Sequence, residues 1–198
     1  FILFLLISVL IKPIITFAEE PAAATSIVKM KADRSFGVSY LSWTENVQLD
    51  NGNNTDQAFA NFYGNSLFYE KQFPTSNENG YSVELGMLAG SANAGGTQTS
   101  LTYQKSYIKW WGAESTVRAS HQLSSHIVLS AGAMAMYRAL TWPDQINGLK
   151  VNSGADFNLA ALLDLKMLLG SNLYLKNTLG TMAFKATTYW ALAVGYNF

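Results

Sequence analysis

The sequence predicts an all-β chain that closes into an eight-stranded antiparallel up-and-down transmembrane β-barrel. Three observations predict this fold. Beyond Arg34, apolar residues recur at every second position, which is the period of a β-strand. Only 13% of the residues are charged and 13% are aromatic, whereas ordinary soluble domains carry about 25% charged residues. No apolar run beyond residue 34 is long enough for a membrane helix, so the alternating apolarity indicates strands that face lipid.

The alternation is clearest in residues 81–92. Val83 and Leu85 lie on one face of this segment, and Ser82 and Glu84 lie on the other. A strand with one large apolar face and one small or polar face fits between lipid outside and a narrow polar lumen inside. The same pattern along the chain predicts eight strands, at residues 35–45, 58–72, 81–92, 99–121, 127–141, 156–168, 172–183 and 187–198.

Two of these strands depart from the simple pattern. Residues 99–121 are too many for one crossing, so 111–121 are expected to span the membrane and 99–110 to rise beyond it in a hairpin with the preceding strand. Residues 58–72 carry large apolar side chains on both parities. This predicts a β-bulge that shifts the phase, at a position that the sequence does not define.

The connections predict which end of the barrel faces the periplasm. An even number of strands places both termini on one side, and export through the periplasm makes this the periplasmic side. Turns there are expected to be short, while external loops are longer and rich in Asn, Gly and Asp. The periplasmic turns are 73–80, 122–126 and 169–171, and the external loops are 46–57, 92–98, 142–155 and a short one at 184–186.

Residues 1–18 predict a signal peptide. They are almost wholly apolar, with Lys12 and Pro13 as the only interruptions, and Thr16-Phe17-Ala18 supplies the small residues that signal peptidase requires. The alternative is an uncleaved anchor helix, which Lys12 and Pro13 disfavour. Residues 19–198 then form the barrel domain, with 19–33 expected as a short periplasmic leader.

The last strand carries the most specific motif in the chain. It contains Trp190 and ends on the aromatic Phe198, with the aromatic Tyr196 two residues before it. This segment resembles the C-terminal sorting strand of outer-membrane barrels, although Ala193 stands where that pattern favours Gly. Residues 112–132 resemble the strand–turn–strand hairpin of small barrels. The chain is thus similar to the eight-stranded barrels of the outer membrane protein A and X kind, a resemblance that is weak for subfamily.

The resemblance implies an integral location in the outer membrane of a Gram-negative bacterium. The implied partners are outer-membrane lipids, lipopolysaccharide and the barrel assembly machinery. The chain has 13 basic and 13 acidic residues, a balance that argues against binding to nucleic acid. The absence of Cys excludes disulfides, thiolate metal sites, a Cys nucleophile and an acylated lipoprotein Cys. The oligomeric state is not predicted.

Candidates for catalysis are few. His121 and His126 are the only histidines, and they flank a predicted turn without a third metal ligand nearby. A serine hydrolase would have to combine one of them with Ser120 or Ser124 and with Glu114. The histidines fall at the periplasmic end, and the His–Ser motif of barrel lipid deacylases is not evident. We therefore expect no catalytic residue, no metal and no cofactor.

The aromatic residues allow two interpretations. Trp111, Trp142 and Trp190 are expected to form the external aromatic girdle that barrels place at the headgroup level. The alternative is a ligand-stacking surface in which Trp110 and Trp111 join Tyr103 and Tyr107. The two tyrosines lie above the predicted girdle.

Charged residues on the inward parity form the main candidate site. An eight-stranded barrel has an interior only wide enough for side chains, so charges there must be paired or hydrogen-bonded. A balanced set of four acids and four bases predicts an ion-pair network that plugs the lumen, and the alternative is a narrow or gated ion path. The residues are Glu84, Glu114, Arg118, Arg138, Asp156, Asp164, Lys166 and Lys176.

These observations predict a non-enzymatic outer-membrane protein with a structural or surface-interaction role through its external loops. The alternative is a narrow channel or transporter for small or apolar solutes. A soluble periplasmic ligand-binding barrel is a further alternative, but such a barrel would carry more charge and turn its polar parity outward.

Overall fold

The fold is all-β. A computed structural model of the protein describes residues 34–50, 55–76, 78–97, 107–140, 145–146, 149–151, 154–183 and 187–198. Among these residues, no helix has the length and apolarity needed to cross a membrane. The predicted signal peptide at 1–18 and leader at 19–33 lie outside the described residues.

In the described part of the chain, ten antiparallel strands form one sheet. Eight are long, while β6 and β7 form a short hairpin that pairs with the end of β1 through Leu49 and Val151. The strands are β1 (Arg34–Asp50), β2 (Thr55–Pro74), β3 (Asn79–Thr97), β4 (Tyr107–Ser124), β5 (Ile127–Leu140), β6 (Gln145–Ile146), β7 (Leu149–Val151), β8 (Gly154–Leu168), β9 (Leu173–Met182) and β10 (Thr188–Asn197).

The eight long strands close into a barrel. Each pairs with its neighbour along the chain, and β1 pairs with β10 from Ser35 opposite Asn197 to Trp43 opposite Tyr189. Closure leaves the spanning part of the sheet without an open edge. We call the end that holds the β2–β3, β4–β5 and β8–β9 connections the turn end, and the opposite end the loop end. Arg34 and Phe198 both lie at the turn end, where Phe198 N–H donates to Arg34 O at 3.0 Å.

The prediction of eight antiparallel strands is confirmed, but several strands are longer than predicted. β1 and β2 stay paired as far as Asp50 opposite Thr55, through most of the predicted loop at 46–57. β3 likewise continues to Thr97. Asn, Gly and Asp disfavour strands only weakly, and continuous pairing in a hairpin overrides that preference. β4 begins at Tyr107, and residues 98–106 lie outside the described part of the chain.

A β-bulge does lie within residues 58–72, as predicted, but it does not explain why both parities of this segment are apolar. The bulge lies at the loop end, between Ala58 and Ala60, and from Ala60 onward the phase is constant. Phe62 and Phe68 both point into the lumen, while Leu67 and the other odd-numbered residues face outward. Both faces of β2 therefore carry apolar side chains, because its inward aromatic rings fill the lumen and its outward side chains face lipid.

Burial alternates along each strand in the sense opposite to that of a soluble barrel. On β1, Phe36 and Val38 are 47% and 54% exposed, whereas Ser35 and Ser39 on the other face are buried. The same inversion holds around the barrel, where exposed Leu, Val, Met, Phe and Tyr side chains form a continuous outer surface. Such a surface requires lipid rather than water around it, so the barrel spans a membrane.

A pair of facing glycines makes room for a lumen tryptophan. Gly64 and Gly90 are cross-strand partners on β2 and β3, and the indole of Trp110 lies against both. A Cβ at Gly64 would come within 2.6 Å of Trp110 Cζ2, and one at Gly90 within 2.7 Å of the same atom. Glycine in a strand often marks such close approach. A second facing pair, Gly37 and Gly195, receives the rings of Phe68 and Tyr174 in the same way.

Gly90→Ala is expected to lower the free energy of unfolding by about 1–3 kcal/mol, because the new methyl group meets Trp110 and backbone of β2. The measurement is urea unfolding in lipid vesicles, followed by tryptophan fluorescence. Ala89→Val is the matched control, since Ala89 is the exposed neighbour on β3 and its side chain adjoins lipid. Equal stability of Gly90→Ala and the parent would contradict the packing of Trp110 on this glycine pair.

Candidate functional site

The barrel lumen is filled by two layers of side chains. Most of the buried charges lie in the half next to the turn end. A cluster of aromatic, Met and Leu side chains fills the half next to the loop end. The sequence predicted a polar lumen throughout, and this part of the prediction is wrong. In a barrel of eight strands the lumen must be filled, and apolar side chains fill it without needing partners.

Arg118 lies at the centre of the charged layer. Its Nε donates to Asp164 Oδ2 at 2.5 Å and its Nη2 to Glu84 Oε1 at 3.1 Å. Lys176 Nζ binds the other oxygen of Glu84, and Thr178 Oγ1 donates to the other oxygen of Asp164. Arg118, Glu84 and Asp164 are each at most 4% exposed. Both acids are thus neutralised and hydrogen-bonded, as buried charges must be.

A second ion pair lies closer to the turn end. Lys166 Nζ donates to Glu70 Oε2 at 2.8 Å, and Ser35 Oγ donates to the same carboxylate oxygen at 3.1 Å. Lys166 Nζ also lies 4.4 Å from the ring centroid of Tyr174. Lys176, which binds Glu84 beside Arg118, has its Nζ 4.6 Å from the ring centroid of Phe68. The aromatic rings held by the glycine pair of β1 and β10 therefore pack against both lysines.

Glu114 occupies the middle of the lumen. Its carboxylate accepts a hydrogen bond from Ser66 Oγ at 2.7 Å, and the absence of a side chain at Gly86 leaves room for both groups. Within the described part of the chain, no cation lies within ion-pair distance of Glu114. A void of about 10 Å³ borders Glu114, Lys176 and Tyr189, which is room for about one water molecule.

A third ion pair is set into the apolar layer near the loop end. Arg138 donates through Nη1 and Nη2 to both oxygens of Glu45, at 2.6 and 2.9 Å. Its Nη2 also donates to Asp156 Oδ2 at 3.0 Å. The guanidinium lies 4.2 Å from the ring centroid of Phe62, and Trp43 Nε1 donates to Glu45 Oε1 at 2.7 Å. Two-pronged binding and stacking fix Arg138 across the lumen.

Aromatic rings close the lumen beside this pair. Trp43 and Phe62 stack with centroids 5.0 Å apart and planes 4° apart, and Trp110 meets Trp43 edge-on at 5.2 Å. Met134 and Met136 are 2% and 0% exposed and belong to the same cluster. Flexible Met side chains fill the gaps that rigid rings leave. At this level the lumen is packed like a protein core.

The structure places the eight predicted lumen charges together with two acids that were not predicted. Seven of the eight are buried in the lumen, and Asp156 lies at its loop-end rim with 37% of its side chain exposed. Glu45 and Glu70 were missed. Glu45 ended the predicted first strand, and Glu70 lay in the strand whose phase the sequence did not define. Among the described residues the lumen holds six acids and four bases, so the predicted balance is wrong.

The predicted girdle and stacking surface separate in the structure. Trp111 is 61% exposed on the lipid-facing side and meets Tyr137 edge-on at 6.2 Å. Trp190 also faces lipid and donates to Asn177 Oδ1 at 3.0 Å. Trp142 and Tyr103 lie outside the described residues. Trp110 is 3% exposed and points into the lumen. Because Trp110 and Trp111 lie on opposite faces of β4, they cannot share one ligand-stacking surface.

The histidines and the sorting strand lie at the turn end. His121 Nδ1 lies 2.9 Å from Asn79 Oδ1, and His126 Nδ1 lies 2.8 Å from Ser125 Oγ in an exposed turn. Among the described residues, no group of three His, Cys, Asp or Glu side chains is arranged to hold a metal. Tyr196 and Phe198 face lipid at the end of β10, with 49% and 58% of their surface exposed.

The turn end also holds a wide cavity. It has a volume of about 610 Å³ and opens outward, with Gln122, Val128 and Lys166 among its lining residues. Lys166 is bound to Glu70 at the inner end of this cavity. The cavity is therefore a vestibule that ends at the charged layer.

Comparison with solved structures finds other outer-membrane barrels. The chain is similar to the attachment invasion locus protein Ail of Yersinia pestis, with 15% identity, a TM-score of 0.45 and coverage of 84% of this chain and 99% of that one. It is also similar to the outer membrane protein OprG from Pseudomonas aeruginosa, with 9% identity, a TM-score of 0.49 and coverage of 84% and 96%. An outer membrane channel from Pseudomonas putida F1 shows 7% identity, a TM-score of 0.36 and coverage of 89% and 100%.

No protein-family model and no curated protein sequence matches the chain. At the identities found among solved structures, the likeness concerns the fold alone. The location follows from the molecule itself: the barrel is closed, its outer surface is apolar and its charges are inside. Closed antiparallel barrels of even strand number with an apolar outer band and short turns at one end are the architecture of the bacterial outer membrane. The chain is an eight-stranded outer-membrane β-barrel.

Proposed function

We propose that the protein is a non-enzymatic outer-membrane barrel with a closed lumen, and that it acts as a rigid anchor for a surface-exposed wall and its loops. The observation that carries this proposal is the filled lumen. Arg118 crosses it at one level, and Arg138 together with the stacked pair Trp43–Phe62 fills it at a second level nearer the loop end. A solute would have to break buried ion pairs and separate stacked rings in order to pass, and both steps are costly.

The long strands support a surface role. A strand needs about 9–11 residues to cross a membrane, and β9 and β10 have 10 each. In contrast, β1, β2, β3 and β4 have 17, 20, 19 and 18 residues. These four strands therefore extend past the membrane on one side of the barrel. The hairpin of β6 and β7 pairs with the end of β1, which makes the extension a continuous paired wall.

The side that projects is the loop end, because the turn-end connections are short. In outer-membrane barrels the long connections are extracellular. The wall and the connections at the loop end would then face the cell exterior. A paired surface held by a packed barrel presents its side chains with little loss of conformational entropy on binding. This favours recognition of another surface over transport.

A liposome swelling assay tests the proposal. Proteoliposomes that contain the refolded barrel are expected to swell in an isotonic pentose solution no faster than protein-free liposomes. A barrel of known open lumen provides the positive control. Swelling above the protein-free rate would contradict the closed lumen and favour transport.

One observation favours the second candidate, a path for apolar solutes. The loop-end half of the lumen is lined by aromatic and Met side chains, among them Met134, Met136 and Met182. In the part of this half that the structure describes, the charges of Arg138, Glu45 and Asp156 are paired with one another. Uptake of an apolar fluorophore by cells that express the barrel separates the candidates. Uptake that saturates and is lost in Met136→Trp would favour the transporter.

We further propose that the terminal aromatic strand is read by the barrel assembly machinery. Deletion of Phe198 is expected to reduce the amount of barrel in the outer membrane severely, while the same variant refolds in detergent with near-parental stability. The ring of Phe198 is 58% exposed, and its backbone N–H donates one hydrogen bond to Arg34 O. The residue therefore contributes little to the stability of the folded barrel. Heat-modifiable migration on gels measures the amount of folded barrel both in the outer membrane and after refolding in detergent. Tyr81→Ala, an exposed turn-end aromatic outside the motif, is the control. A normal amount of the Phe198-deleted barrel in the outer membrane would contradict this proposal.

A further inference from the structure

The charged layer of the lumen contains one acid more than it has bases. Among the side chains whose burial the structure describes, Glu114 shares this layer with three further acids and three bases. These are Glu70, Glu84, Asp164, Arg118, Lys166 and Lys176. Ion pairs of 3.1 Å or less join the three bases to the other three acids. An ionised Glu114 would therefore leave one negative charge in the layer without a cation of its own.

Side chains from all eight long strands surround Glu114 at the small void in the middle of the lumen. The titratable groups that line this void with it are Glu84 on β3, Arg118 on β4, Lys176 on β9 and Tyr189 on β10. The other four strands contribute uncharged side chains, namely Ser39 on β1, Phe68 on β2, Met134 on β5 and Leu162 on β8. Glu114 is 7% exposed, so bulk water does not solvate its carboxyl group.

Both cations at the void are bound to other acids. Arg118 binds Glu84 and Asp164. Lys176 binds the other oxygen of Glu84. Glu84 also places a negative charge on the same void as Glu114, which disfavours a second one there. A buried carboxylate without its own cation is costly, and such a group becomes neutral by taking up a proton.

We propose that Glu114 is a proton-binding site inside the closed lumen. With the proton bound, three negative charges face three positive charges and the charged layer is neutral. One oxygen of the carboxyl group keeps the hydrogen bond from Ser66 Oγ at 2.7 Å. The other carries the proton and donates to a water molecule in the void, which has room for about one. Proton uptake therefore stabilises the filled lumen, whatever surface the loop end recognises.

Infrared spectroscopy of the refolded barrel in lipid vesicles tests the proposal directly. The C=O stretching band of a protonated carboxyl group is separate from the bands of carboxylates and amides. Exposed Asp and Glu side chains have ordinary pKa values of about 4, so they are ionised at about pH 6. The parent is expected to show the acid band at this pH and to lose it as the pH is raised further. Glu114→Gln is expected to lack the band, whereas the control Glu78→Gln, at an exposed acid in the β2–β3 connection, keeps it.

Urea unfolding over a range of pH gives a second, independent measurement. Above about pH 5 the unfolded chain has released this proton, whereas the folded barrel still holds it. The stability of the parent relative to Glu114→Gln therefore falls as the pH rises. The ratio of their unfolding equilibrium constants is expected to rise by up to about tenfold per pH unit, until the folded barrel also releases the proton. Gln is the matched replacement, because it has nearly the size of Glu and stays neutral.

Three results would overturn the proposal. The first is a parent barrel, folded by heat-modifiable migration, that shows no acid band at the pH where exposed carboxyl groups are ionised. This result needs no variant. The second is an acid band that persists in Glu114→Gln or disappears in Glu78→Gln, because the protonated group would then lie elsewhere. The third is a ratio of unfolding constants that does not change with pH, because Glu114 would then be ionised throughout.

Discussion

Arg118→Ala is expected to lower the free energy of unfolding of the barrel by about 3–5 kcal/mol. Arg118 bridges Glu84 and Asp164 inside the lumen, and its removal leaves Asp164 with Thr178 alone and Glu84 with Lys176 alone. Buried charge that loses its partner is far more costly than an exposed pair that separates. Urea unfolding in lipid vesicles, followed by fluorescence or circular dichroism, gives the difference.

Val117→Ala is the matched control for this substitution. Val117 is the neighbour of Arg118 on β4 and is 54% exposed toward lipid, so truncation there leaves no cavity and no unpaired charge. We expect a cost of at most about 1 kcal/mol. The double variant Arg118→Met/Asp164→Asn should recover part of the lost stability, since it removes a cation together with one of its acids. If Arg118→Ala and Val117→Ala lowered the free energy of unfolding equally, the charge network in the lumen would not be what stabilises the barrel.

The second large effect is expected on the outer face. Ala133 lies at the middle of β5, opposite Val117 and Ala161, and its side chain is exposed to lipid. Ala133→Arg would place a charge near the bilayer midplane at a cost of about 2–4 kcal/mol. Ala133→Leu, which adds bulk but no charge, should be tolerated because lipid chains adapt to shape. The measurement is the free energy of unfolding of the two variants in lipid vesicles. Equal stability of Ala133→Arg and Ala133→Leu would contradict a lipid-facing position of Ala133.

The sequence predicted the barrel because alternation on the outer face is imposed by lipid and holds on each of the eight long strands. Val83 and Leu85 alternate with Ser82 and Glu84 as expected, and the structure places them outside and inside the barrel. Closure and antiparallel order then follow from the strand count and the short turns. These features depend on local pattern, which a single sequence contains.

The lumen was harder to predict, because its filling depends on which side chains meet across the barrel. Phe62 and Phe68 are inward and aromatic, so neither face of β2 is wholly polar, and Glu70 at its end could not be assigned a side. The missed acid Glu45 meets Arg138, which is 93 residues away in the chain. Facing glycines such as Gly64 and Gly90 are what admit a large ring, and their pairing depends on register across strands.

The length of the strands was underestimated for a related reason. Residues around Asp50 and Thr55 have turn-forming composition, but the β1–β2 hairpin pairs them continuously. Composition favours a loop locally, whereas pairing with a neighbouring strand satisfies the backbone hydrogen bonds over the whole length. The projecting wall that supports a surface role is therefore a tertiary feature. Sequence composition alone does not reveal it.

Single-channel recording in a planar bilayer tests the closed lumen most directly. The refolded barrel, with insertion verified by its heat-modifiable migration, is expected to give no current steps above the bare-bilayer baseline across the usual range of voltage. The reason is that Arg118 fills one level of the lumen, and Arg138 with the Trp43–Phe62 stack fills a second level. Regular ohmic steps from the parent protein, reproduced in independent insertions, would contradict the account and make the chain a channel.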